Sequence, residues 1–111
     1  MQTINELRPI PNQEFNVTIG DHDYTFKFMY CGDFMDYDLA IDEVEVITGF
    51  RMVYGQPLIT YRYQEVDGNF IIDTNGVDPI YTEFNTTQFL RYLTPNESES
   101  WRNLMMTGSY D

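Results

Sequence analysis

The stretch Phe15-Asn16-Val17-Thr18-Ile19-Gly20-Asp21-His22-Asp23-Tyr24-Thr25-Phe26-Lys27-Phe28-Met29-Tyr30 decides the fold class. Phe15, Val17 and Ile19 alternate with Asn16 and Thr18. Tyr24, Phe26, Phe28 and Tyr30 then alternate with Thr25, Lys27 and Met29. A period of two sends one set of side chains to each face of an extended strand. Gly20-Asp21-His22-Asp23, between the runs, is turn chemistry. The two runs therefore predict an antiparallel hairpin with a loop of about four residues.

The same signals recur downstream. Cys31-Gly32-Asp33 reads as a turn, and in 37–41 the residues Tyr37, Leu39 and Ile41 share one face. Asp42-Glu43 turns into the alternating segment 44–47, and 50–53 continues it past a kink or bulge at Gly49. Gly55-Gln56-Pro57 turns the chain into a longer predicted strand, 58–65. Asp67-Gly68 then reads as a hairpin turn into 70–72. A loop through Asn75-Gly76 and Asp78-Pro79 leads to a last strand, 88–93. Short strands with turns roughly every eight to twelve residues predict an all-β domain, a single antiparallel β-sandwich or a small β-barrel. Residues 1–13 read as an extended N-terminal arm, 14–94 as the β domain and 95–111 as a C-terminal tail.

In that tail Thr94 has the chemistry of an N-cap, Pro95 of a first helical residue, and Glu97 closes a capping box. Trp101, Leu104 and Met105 fall at i, i+3 and i+4, and Gly108 is placed to end the helix. So short a helix must dock on a surface or fray into a flexible tail.

Composition narrows the function. The 111 residues suit one domain, which buries roughly two-thirds of the surface of its unfolded chain. Apolar residues are 42% and aromatics 16%, the opposite of a disordered composition. Eighteen carboxylates against six Lys and Arg leave a formal charge of −12, which repels duplex DNA and anionic membranes alike. This acidity either keeps the domain soluble or lines a passage through which DNA slides without sticking. Cys31 is alone, which excludes an intrachain disulfide. No stretch reads as a signal peptide or membrane span, so folding is expected in the cytoplasm, and the Asn-x-Ser/Thr triplets at Asn16, Asn85 and Asn96 read as chance.

No catalytic constellation is evident. His22 sits in a turn between acidic neighbours and lacks partners at a recognisable spacing. Cys31 would need a nearby base to act as a nucleophile, but the strand between it and His22 should hold the two apart. Asp73, Asn75 and Asp78 carry a weak echo of a calcium loop, without the distal bidentate Glu; Asn-Gly followed by Asp-Pro is equally a turn. The acidic middle, Asp33, Asp36, Asp38, Asp42, Glu43 and Glu45, reads as solvated turn and strand carboxylates. No cofactor is implied, and the chain is not expected to be an enzyme. Trp101, with Leu104 and Met105, is either an interface candidate, since Trp is enriched where proteins meet, or packs the helix on its own domain.

An ordered series of segments carries a resemblance. Pro9-Ile10-Pro11-Asn12-Gln13-Glu14-Phe15-Asn16-Val17-Thr18-Ile19 is similar to the opening of the cyanophage-type contractile-tail baseplate plug family. Thr48-Gly49-Phe50-Arg51-Met52-Val53-Tyr54-Gly55-Gln56-Pro57-Leu58-Ile59 resembles its central segment, and Gly68-Asn69-Phe70-Ile71-Ile72-Asp73-Thr74 with Asp78-Pro79 its close. The series runs from about residue 4 to residue 94; the tail has no counterpart. The resemblance implies a structural virion protein that closes or lines the central channel of the tail baseplate. Its expected partners are the hub, spike and tail-tube proteins, as a homo-oligomer that is trimeric by family analogy. On that reading Pro9, Pro11, Asn12 and Gln13 form an arm reaching a neighbour, and Arg51 supplies a buried or interfacial ion pair. Two other readings stay open: an acidic DNA-mimic inhibitor of a host DNA-binding enzyme, and a carbohydrate-binding β module using exposed Tyr and Trp101.

Overall fold

A computed structural model describes residues 2–74 and 76–107, with the side chains of 62 and 105–107 left out of the description. Seven strands and one helix follow in order: β1 (Gln2–Ile4), β2 (Asn12–Ile19), β3 (His22–Tyr30), β4 (Met35–Ile41), β5 (Val44–Arg51), β6 (Asn69–Asp73), β7 (Phe89–Leu93) and α1 (Pro95–Thr107). The strands form two antiparallel sheets, β2-β3-β4-β5 and β1-β7-β6. No closed barrel forms among the described residues, and the sandwich reading is the one the structure takes.

Alternation explains the core. Tyr24, Phe26 and Phe28 of β3 and Met35, Tyr37, Leu39 and Ile41 of β4 are buried, facing Phe70 and Ile72 of β6 and Leu90 and Tyr92 of β7. Phe70 sits at the aromatic centre, with the rings of Tyr24 and Phe26 each 4.9 Å from its own, edge to face. Such pairs add about 0.5–1.5 kcal/mol beyond the area they bury. Ile71 and Leu93 are buried with opposite parity, so they lie on the other face of the small sheet. Helix α1 packs against β6 and β7.

The turns follow residue chemistry, with one adjustment. The first hairpin pairs Ile19 with His22, so its loop has two residues rather than four. Gly20 takes φ +60°, as the first position of a type II′ turn requires. In the second hairpin, Ile41 pairs with Val44 and both Asp42 (φ 52°) and Glu43 (φ 71°) are left-handed. That is the type I′ pattern, met here without glycine. The break expected at Gly49 is a bulge: Tyr37 pairs with Phe50 and Leu39 with Ile47, so two residues of β5 oppose one of β4. Gly49 is left-handed (φ 65°), and its N–H donates to the Asp38 carboxylate at 2.7 Å.

Two expectations need correction. Residues 58–65 do not form a strand; they bend and end in a 3₁₀ turn at Arg62–Gln64. Leu58 N–H still donates to Phe70 O, but the side chain of Asn69 then accepts from Ile59 N–H and donates to Ile59 O, each at 2.9 Å. A side-chain amide thus stands where a neighbouring strand would be, and the ladder stops. Asp67-Gly68 accordingly closes no hairpin. The second correction concerns 1–13, read as one extended arm. Gln2–Ile4 is strand β1, paired with β7, and Ile4 and Leu7 are buried in the core. Asn12 and Gln13 open β2. The turn at Arg8, Pro9, Ile10 and Pro11 stands exposed, as do Gln2, Asn5, Glu6 and Asn12.

The helix forms as its cap predicts. Thr94 N–H donates to Glu97 Oε1 at 3.0 Å, and Glu97 N–H donates back to Thr94 Oγ1 at 3.3 Å. Gly108, its expected terminator, lies outside the described residues. No described helix is long and apolar enough to cross a membrane.

Candidate functional site

The outer face of the four-stranded sheet is built by the residues alternating with the core set. Asn12, Glu14, Asn16 and Thr18 from β2 lie beside Thr25, Lys27 and Met29 from β3 and Asp36, Asp38 and Ala40 from β4. Glu14, Lys27 and Asp38 stand in cross-strand register, one cation between two carboxylates. A shallow hollow of about 210 Å³ lies there, with Glu45 at its rim. This face is polar and acidic, and Lys27 is its central cation.

A second feature lies where α1 meets the 58–68 segment. Glu65 and Arg102 are largely buried, with side chains 14% and 18% exposed. Arg102 Nε donates to Glu65 Oε2 at 2.9 Å, and the guanidinium also donates to Ile59 O (2.9 Å) and Thr60 O (3.2 Å). Glu65 further accepts from Asn69 Nδ2 (2.9 Å) and the Ser98 hydroxyl (3.0 Å). A buried pair of this kind is tolerated because its remaining donors and acceptors are filled. Beside it, Tyr61 and Tyr63 stack at 5.7 Å with Tyr63 84% exposed, so this loop presents aromatic surface to solvent.

The third feature joins the two hairpin turns. His22 Nδ1 and Asp42 Oδ2 are 2.7 Å apart, and Asp42 Oδ1 also accepts from Asp23 N–H at 2.9 Å. The hydrogen bond to Asp42 is the main cause holding the His22 pKa above its ordinary 6.5. The Asp23 N–H, then His22, holds the Asp42 pKa below 3.8. A raised histidine stabilises the fold fully below about 6.5 and loses that effect as pH rises through its folded value; a lowered carboxylate loses its effect as pH falls through its own. The pair is thus most stabilising between these limits. An NMR titration of His22 should give a pKa above 6.5 in the parent, returning toward 6.5 in Asp42→Asn; an unshifted His22 in the parent would show the pair is not formed.

The sequence candidates are dispersed. His22 begins β3 and Cys31 follows its end, roughly 30 Å away at strand rise. The Cys31 thiol donates to Asp36 Oδ2 at 3.3 Å, and that bond pushes its pKa up, away from the reactive thiolate. Asp73 binds Arg91 Nε at 2.6 Å, and Asp78 accepts from Tyr54 N–H at 2.9 Å. Asn75 lies outside the described residues, and no group of metal-ligating side chains converges among those described. Arg51 is not buried: it is half exposed, 3.7 Å from Asp78 and over the Phe34 ring at 4.6 Å. Trp101 is partly buried and its Nε1 donates to Gly55 O at 2.6 Å, so the helix is fastened to its own domain. Leu104 is partly buried, and the side chain of Met105 lies outside the description. Sequence reading missed the Glu65–Arg102 network, because its members are 37 positions apart and carry no local pattern.

No curated protein matches the chain. Among protein families, residues 1–96 match the one described as cyanophage baseplate Pam3 plug gp18. The matched span takes in all seven strands and Thr94, the residue that begins the cap of α1. With 96 of its 111 residues inside that match, the chain belongs to the cyanophage baseplate plug family, and with it to the structural proteins of the phage tail.

Proposed function

We propose that this chain closes or lines the central channel of the baseplate near hub and spike, in contact with hub, spike and tail-tube proteins, as a homo-oligomer whose three-fold symmetry is inferred by family analogy. The observation that carries the reading is the family match over residues 1–96. The outer sheet face supports it physically. Turned toward the lumen, Glu14, Asp36, Asp38 and Glu45 would repel the phosphate backbone of passing DNA, which binds proteins chiefly through Lys and Arg. The exposed turn at Pro9, Ile10 and Pro11 and the Tyr61–Tyr63 stack are surfaces available to neighbouring subunits. The structural role of the plug family points to a non-enzymatic protein. Assembly would take place in the host cytoplasm, before the tail is complete.

Cryo-electron microscopy of purified tails tests the placement. Density for this chain in the axial channel, touching hub or tube proteins, is the expected result. Tails that lack the chain while it stays soluble in the infected lysate would overturn the reading. The −12 charge would then favour an acidic inhibitor of a DNA-binding enzyme.

A further inference from the structure

One side of the sandwich is open. β2 is the outer strand of its sheet and β1 the outer strand of the other. Between them run two hollows of about 370 and 330 Å³ that share Asn5 and Glu6 in their walls. One wall is β2 from Gln13 to Ile19; the other is β1 and the turn after it. Counting back from the two-residue turn, Ile19, Val17, Phe15 and Gln13 exchange backbone bonds with β3. Glu14, Asn16 and Thr18 therefore aim their N–H and C=O groups the other way, toward the groove. A sheet edge of this kind is a template for another strand. Gln13 shows the pattern in miniature: its side-chain amide accepts from Arg8 N–H at 3.0 Å and donates to Arg8 O at 2.8 Å. That is the two-bond exchange of a paired strand residue.

We propose that this groove is a strand-acceptor slot, occupied in the assembled baseplate by an extended segment of a neighbouring, non-identical subunit bearing Lys or Arg at alternate positions. The inference rests on the baseplate reading above. Backbone pairing along β2 would supply most of the affinity, and alternate side chains the specificity. Eight residues of β2 at about 3.3 Å each accommodate an incoming segment of about seven residues. Charge selects the occupant. Glu6 and Glu14 line the walls together with a single cation, Arg8, and the chain as a whole carries −12. A second copy would bring net negative charge to an acidic slot, whereas a basic segment is attracted to it and oriented by it.

Amide hydrogen exchange, resolved by residue on the isolated chain and on the chain within purified tails, tests the slot. The Glu14, Asn16 and Thr18 amides should exchange rapidly in isolation and slow by about 100-fold or more in tails. Equal exchange in both states would overturn the slot while leaving the baseplate reading intact; a chain missing from tails would overturn both. Asn16→Pro provides an independent check. It removes an outward N–H without touching the bonds to β3, as edge strands tolerate. Its melting temperature should stay within about 5 °C of the parent, while incorporation into tails falls about tenfold or more, a loss of one hydrogen bond and its register. Normal incorporation of the folded variant would overturn the proposal.

Discussion

Gly68→Ala should abolish the folded state or cost about 4 kcal/mol or more, in the exceptional range for a single methyl group. Gly68 holds φ +85°, where a side chain is strained, and a Cβ there would lie 2.1 Å from the backbone oxygen of Leu93 and 2.9 Å from the Tyr92 hydroxyl. The Leu93 oxygen belongs to β7, paired directly to β6 through Asn69. Relief would require prising the two strands apart at their closing pair. Tyr92 cannot yield freely either, since its hydroxyl donates to Asp67 O at 2.7 Å. Against a total stability of about 5–15 kcal/mol, such a loss leaves little folded protein. Urea titration followed by tryptophan fluorescence measures it. A midpoint within about 0.3 M of the parent, at unchanged slope, would show that the strands adjust without cost.

Arg102→Ala should cost about 3–5 kcal/mol, the usual penalty for leaving a buried carboxylate without its cation. The Glu65 side chain would keep Asn69 and Ser98 as donors but lose its positive partner, and the carbonyls of Ile59 and Thr60 would lose theirs. The 58–68 segment and α1 should loosen together, visible as faster amide exchange in both. Glu65→Ala combined with Arg102→Ala should cost less than the sum of the single changes, because neither charge is then stranded. A loss below about 1 kcal/mol in Arg102→Ala would place the pair effectively in water.

Local chemistry made much of the fold legible. Alternation in 15–19 and 24–30 located β2 and β3, Gly49 marked its bulge, and Thr94 with Glu97 announced the helix start. All of these signals act within a few residues. The miss at 58–65 has a different origin. Tyr, Ile and Thr there favour a strand, but Asn69 occupies the pairing position and Arg102 collects the carbonyls. Both partners are distant, so tertiary contacts override the propensity. The burial of Ile4 and Leu7 was likewise invisible, because a three-residue strand carries too little pattern to announce itself. The acidic outer face followed from the same alternation as the core, whereas the groove beside β2 depends on how two sheets meet, which no single segment encodes.

The two margins of the four-stranded sheet are unequal. β5 is broken by register shifts opposite Tyr37, Leu39 and Ala40, whereas β2 pairs with β3 without interruption from Asn12 to Ile19. Bulges blunt a margin against further pairing. A sheet with one regular and one bulged margin offers a regular ladder for strand pairing on one side only. Open-ended growth by strand pairing needs two complementary edges per copy, so on the strand-acceptor proposal this asymmetry would let the free chain reach high concentration without seeding fibres through this sheet.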